Sequence, residues 1–177
     1  MGFGRRPLAL AAVLTTASLA AQDPEPEKLD SEALRGRDRT AILDVRSVVM
    51  AGRAYAAANG ALFGTLSCYT QPETCLPDFP KDAAPFLDPS HDWLATSLGY
   101  VHKFHPGPLA SEEEILKAKA APGSLKSFAF TVAPVKPGQT GLRAFCGDSS
   151  GRICVSRDGS EPRVKDGRCA QACPELK

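Results

Sequence analysis

Residues 39–60, RTAILDVRSVVMAGRAYAAANG, are the one long segment of the chain whose apolar residues keep a helical period. Ile42, Val45, Val48, Val49, Gly52, Tyr55 and Ala56 recur at steps of three and four, so they share one stripe of a helix. The opposite side carries Asp44, Arg46, Arg53 and Ala57. At about 1.5 Å per residue, about twenty residues make a rod of about 30 Å, long enough to cross a small domain. Asp38 is placed to cap its start, and Asn59-Gly60 tolerates the left-handed conformation that ends many helices. The remaining chain has to supply the surface on which this stripe packs.

The 177 residues are 43% hydrophobic and 23% charged, which suits one domain with appendages. Lys plus Arg number 21 against 20 acids, so no net field selects for nucleic acid or an anionic membrane. The 15 Pro and 15 Gly predict many turns rather than a helical bundle.

Residues 1–21 read as a secretory signal peptide. Arg5 and Arg6 form its charged start, 8–16 its apolar run, and Ser18-Leu19-Ala20 or Ala21 its small-residue cleavage site. That run is shorter than the about 20 residues a helical span needs, so no stable membrane span is expected in the mature chain. The expected location is periplasmic or extracellular. Residues 22–37 read as a polar linker, of which 29–37 can add a turn or two to the helix with Asp30 or Ser31 as cap. Residues 38–177 are the globular domain with a Cys-rich tail.

Export decides how the cysteines are read. In an oxidising compartment Cys68, Cys75, Cys146, Cys154, Cys169 and Cys173 predict disulfides before metal or redox chemistry. Sequence leaves the connectivity open, and local spacing favours Cys68 with Cys75, Cys146 with Cys154 and Cys169 with Cys173.

Prolines at 72, 77, 80 and 85 make 61–86 a long ordered loop without helix or central strand. Residues 91–98 suit a short turn of helix, and 100–104 a strand. Ser111 to Glu114 has the capping-box pattern, which predicts a helix over 112–120. Phe128, Phe130 and Val132 alternate within a strand over 125–135, and 142–147 and 152–156 return beside it. If Ser149-Ser150-Gly151 is a three-residue hairpin loop, Cys146 stands opposite Cys154, and Phe145, Ile153 and Val155 share one face. The fold class is therefore α+β: one long N-terminal amphipathic helix packed on a small antiparallel sheet, with disulfide-stapled loops.

Residues 146–151, CGDSSG, are similar to the nucleophile environment of chymotrypsin-type proteases, but Ser150 breaks the pattern and no histidine stands in that family's context. The segment reads as a turn. His102 and His105 point to opposite faces of a strand, and His91 stands apart, so they do not converge as metal ligands. Glu112-Glu113-Glu114 suits a solvated helix start. No phosphate-binding loop or dinucleotide fingerprint occurs. The residues point to no catalytic site, metal or cofactor, and to a non-enzymatic domain. The alternative is a small secreted hydrolase with an unrecognised site, which substitution of Ser149 or His105 would expose.

The order of three segments resembles the globular part of type IV pilins and type II secretion pseudopilins: AGRAYAAANG at 51–60, FAFTVAP at 128–134 and GLRAFCGDSSGRI at 141–153. The resemblance spans residues 38–156. It implies an exported bacterial pilin-like head that acts in binding or assembly, with pilus or secretion-system subunits as protein partners. In that family a glycine cleavage point, a phenylalanine and a glutamate precede an apolar membrane half of the helix. Here Gly2-Phe3 leads to Pro7 where the glutamate would sit, so a head lacking the N-terminal membrane helix is expected. The 68–75 loop and the Cys-rich tail are the expected recognition surfaces.

Overall fold

The computed structural model describes residues 1–2 and 29–176. Residues 3–21 of the expected signal peptide and 22–28 of the expected linker lie outside the described residues. Helix α1 (Ser31–Ala58) begins where the Asp30 carboxylate accepts the backbone N–H groups of Glu32 and Ala33 at 2.9 and 2.8 Å. Asp30, not Asp38, is the N-cap, and residues 31–37 are helix rather than linker. The two added turns bury Leu34 and carry Asp38 into the interior, because 34, 38, 41 and 45 continue the spacing of the stripe. Within that stripe Val45, Val48, Val49, Gly52, Tyr55 and Ala56 are buried, and Ile42 packs half-buried against the same core. The left-handed turn that ends α1 falls on Gly60 (φ +58°) and Ala61 (φ +67°), not on Asn59.

Four strands form one antiparallel sheet in chain order: β1 (Tyr100–Pro106), β2 (Phe128–Pro134), β3 (Ala144–Asp148) and β4 (Ile153–Ser156). Cys146 stands opposite Cys154 and Phe145 opposite Val155, the register of a three-residue hairpin loop with Gly151 at φ +88°. In β2 the large residues Phe128, Phe130 and Val132 join the core under α1, while the small residue Ala129 belongs to a second cluster on the other face. The two faces therefore bury different volumes, a bulky one under a helix and a thin one under a loop layer. Phe104 stacks on Phe128 with ring centroids 5.5 Å apart. A Cβ at Gly52 would lie 2.4 Å from the Phe128 ring, so only glycine lets α1 approach it.

Two further expectations change. The 61–86 segment holds a short helix α2 (Leu66–Thr70) and a 3₁₀ turn (Pro72–Thr74). All four prolines lie outside α2, and Pro72 opens the 3₁₀ turn, where a missing N–H leaves no bond unmade. Residues 91–98 form turns instead of a helix: the Asp92 carboxylate takes the Leu94 N–H at 3.1 Å and ends the run before it propagates. Helix α3 (Glu112–Ala118) carries the expected capping box between Ser111 and Glu114. The tail makes a hairpin, β5 (Val164–Lys165) and β6 (Arg168–Cys169), which closes over the sheet face away from α1.

Candidate functional site

The Cys68–Cys75 bridge joins α2 to the end of the 3₁₀ turn, with Cα atoms 5.6 Å apart. Beside it lies a groove of about 310 Å³ between Leu76, Pro77, Phe79 and Pro80 and the segment 119–122. Asn59 holds this end of the domain together. Its side chain donates to the Leu62 carbonyl at 3.0 Å and to Ser124 Oγ at 2.9 Å, and accepts the Ala121 N–H at 2.7 Å. A buried amide with three satisfied bonds fixes the foot of the loop, and Leu116 stands 77% exposed on the neighbouring α3.

The other two bridges are Cys146–Cys169 and Cys154–Cys173, which replaces the pairing expected from local spacing. Cys146 and Cys154 do sit opposite each other, but both side chains stand on the face that the tail covers. There Cys169 and Cys173, four residues apart, each reach one of them. Spacing along the chain misleads because the partners meet across a layer. Arg152 donates to the carbonyls of Cys169, Ala170, Gln171 and Cys173, and Asp148 accepts the Cys169 N–H at 3.0 Å. The sulfur atoms of Cys146, Cys154 and Cys169 cluster within 4.8 Å, all in disulfides.

The candidate nucleophile and bases do not come together. The Ser149 Oγ is buried without a hydrogen-bond partner among the described residues, and Asp148 instead binds the N–H and hydroxyl of Ser150. His102 lies between the Ala95 carbonyl (2.8 Å) and the Asp44 carboxylate (3.1 Å) under α1. Asp44, expected on the outer side of α1, is thereby drawn toward β1. His105, on the opposite face, meets Thr131 Oγ1 at 2.8 Å and lies 3.9 Å from Glu161. His91 packs edge-on against Trp93. Burial, with the charge of Lys103, lowers the His105 pKa against the opposing pull of Glu161. Burial would raise the Glu161 pKa, but hydrogen bonds from Lys103 and Thr131 and the charges of Lys103 and His105 hold it below its usual range.

Sequence reasoning missed the most enclosed charge among the described residues. Asp38 is fully buried and accepts from the Tyr100 hydroxyl, the Leu142 N–H at 2.9 Å and Arg143 Nε at 2.7 Å. Burial first, and the Asp38 carboxylate second, push the Tyr100 hydroxyl pKa well above its ordinary value. The available signal was its place at position 38 of the 34, 38, 41, 45 series, where a helix cap has no reason to be.

Among the described residues no helix is long and apolar enough to cross a membrane. No family model, curated protein or solved structure matches the chain.

Proposed function

We propose that this chain is an exported, non-enzymatic, pilin-like domain that acts in binding or assembly at the bacterial cell surface, with type IV pilus or type II secretion subunits as its protein partners. The observation that carries the reading is the layout: one long N-terminal helix laid across a four-stranded antiparallel sheet, with a disulfide-tethered loop beyond the helix end. That is the arrangement the resemblance at 51–60, 128–134 and 141–153 implies. Three disulfides suit an oxidising location outside the cytoplasm. Recognition is assigned to the end of the domain where the 68–75 loop, the groove beside it and α3 meet, because a braced loop presents its surface at little entropic cost.

The test is fractionation of cells carrying a tagged chain, with intact mass and in-cell crosslinking from the 68–75 loop. The expected result is a periplasmic or surface species about six hydrogens lighter than the reduced chain, crosslinked to pilus or secretion subunits. A reduced cytoplasmic protein, or crosslinks unrelated to those systems, overturns the reading.

A further inference from the structure

A second surface lies toward the opposite end of α1. A groove of about 860 Å³ is lined by Arg35 of α1, Leu142 and Arg143 before β3, Val155 of β4, Arg157 after it, and Leu176 of the tail. Asp38 forms its floor and Glu175 its one exposed carboxylate. We propose that this groove binds an acidic peptide segment of a partner protein in extended form, with carboxylates on the arginines and an apolar side chain against Leu142, Val155 and Leu176.

Three observations carry the assignment. The first is the state of Arg143. Its Nε is held by Asp38 at 2.7 Å, and its guanidinium lies 5.6 Å over the Phe145 ring. The two terminal nitrogens make no hydrogen bond among the described residues and remain free for a two-point grip on a carboxylate. A guanidinium already fixed on one edge loses little freedom on binding. The second is the floor: Asp38 is saturated by Tyr100, Leu142 and Arg143, so it faces a ligand as part of a neutral pair. The third is the unspent charge at the rim. Neither Arg35 nor Arg157 joins an ion pair among the described residues, although Arg35 donates to Ser31 Oγ at 3.1 Å. Three guanidinium groups around an apolar strip match a chain that alternates acidic and apolar side chains, whereas a lone phosphate would leave the strip uncovered. The volume falls within the usual range of roughly 300–1,000 Å³ for binding clefts.

The proposal stands apart from the loop-end reading, because Arg35 and Arg157 are remote in the fold from the 68–75 loop. The experiment is fluorescence anisotropy with the full chain and a labelled peptide of alternating glutamate and leucine, against its glutamine counterpart. The acidic peptide is expected to bind at low ionic strength, about tenfold or more above the glutamine peptide, and to weaken as salt rises. Arg35→Gln with Arg157→Gln, both exposed and outside the Asp38 network, should weaken it about tenfold with the thermal midpoint unchanged, and Glu175→Gln should strengthen it. Equal binding by the double variant, equal binding of the glutamine peptide, or no binding at millimolar peptide overturns the proposal. Displacement by inorganic phosphate at the concentration at which unlabelled peptide competes overturns the peptide in favour of a small anion.

Discussion

Replacing Asp38 separates two roles that one carboxylate could have at this position. As a surface N-cap it would contribute about 1 kcal/mol, and Asp30→Ala would cost nothing. The structure places Asp30 at the cap and Asp38 in the interior. In Asp38→Ala the single Tyr100 O–H can turn to the Arg143 carbonyl, 3.1 Å away, and Arg143, 41% exposed, turns its charge to water. The Leu142 N–H, and more weakly the Arg143 N–H at 3.3 Å, lose their acceptor, and a cavity opens against the sheet. A stranded buried donor costs about 1–3 kcal/mol, and breaking a buried pair about 3–5 kcal/mol. The Arg143 escape route puts the expected loss near the lower end, about 3 kcal/mol, against about 1 kcal/mol for Asp30→Ala. Arg143→Ala should cost more than Asp38→Ala, because it leaves a fully buried carboxylate without its cation. Urea unfolding of the oxidised chain, read by the shift in midpoint at constant slope, measures all three. An Asp38→Ala loss at or below that of Asp30→Ala would refute the reasoning.

Gly147→Ala sets a Cβ 2.5 Å from Val45 and 2.6 Å from Val49, so it should cost about 1–3 kcal/mol in the same unfolding assay. Asn59→Ala removes three hydrogen bonds, two of them buried, between the end of α1 and residues 62, 121 and 124, and should free that end locally; amide exchange at Ala121 should quicken far more than at the β2 amides. Stability should rise with pH between about 5 and 7. Burial lowers the His105 pKa from its ordinary 6.5, so the unfolded chain binds more protons as pH falls through that value, and the lowered Glu161 pKa acts in the same direction at more acid pH. His105→Asn should flatten the upper part of that dependence, and an unchanged slope would rule the group out. Cys169→Ser and Cys173→Ser together should lower stability by about 3 kcal/mol or more, while tryptic cleavage near Arg163 and Lys165 accelerates.

The helix was legible because its stripe of Val45, Val48, Val49, Gly52, Tyr55 and Ala56 repeats at one period over several turns. The hairpin was legible for a related reason: Gly151 and the faces of Phe145, Ile153 and Val155 agree on one register. Asp38 was misread because polar residues near a helix start resemble caps, and its partners Leu142 and Arg143 lie about a hundred positions away in the chain. The tail was opaque for the same cause. Its order comes from two sulfurs and one arginine reaching across a layer, and nothing local in 157–176 alternates or repeats to announce it. Of the candidate surfaces, the loop could be seen from its cysteines and prolines, while the arginine groove assembles residues from four separate stretches of the chain.

The two tail bridges also set how the domain carries tension. Without them, residues 174–176 would hold β4 through the Val155–Pro174 and Leu176–Ile153 backbone bonds and the packing of Leu176 on the core, which a pull along the tail would release one at a time. With Cys154 and Cys146 bonded to Cys173 and Cys169, the load passes covalently into the edge strand β4 and its neighbour β3, which must shear off the rest of the sheet together. Under single-molecule stretching from the tail, the oxidised domain should yield in one event at high force, and the reduced domain should first release the slack of residues 157–176.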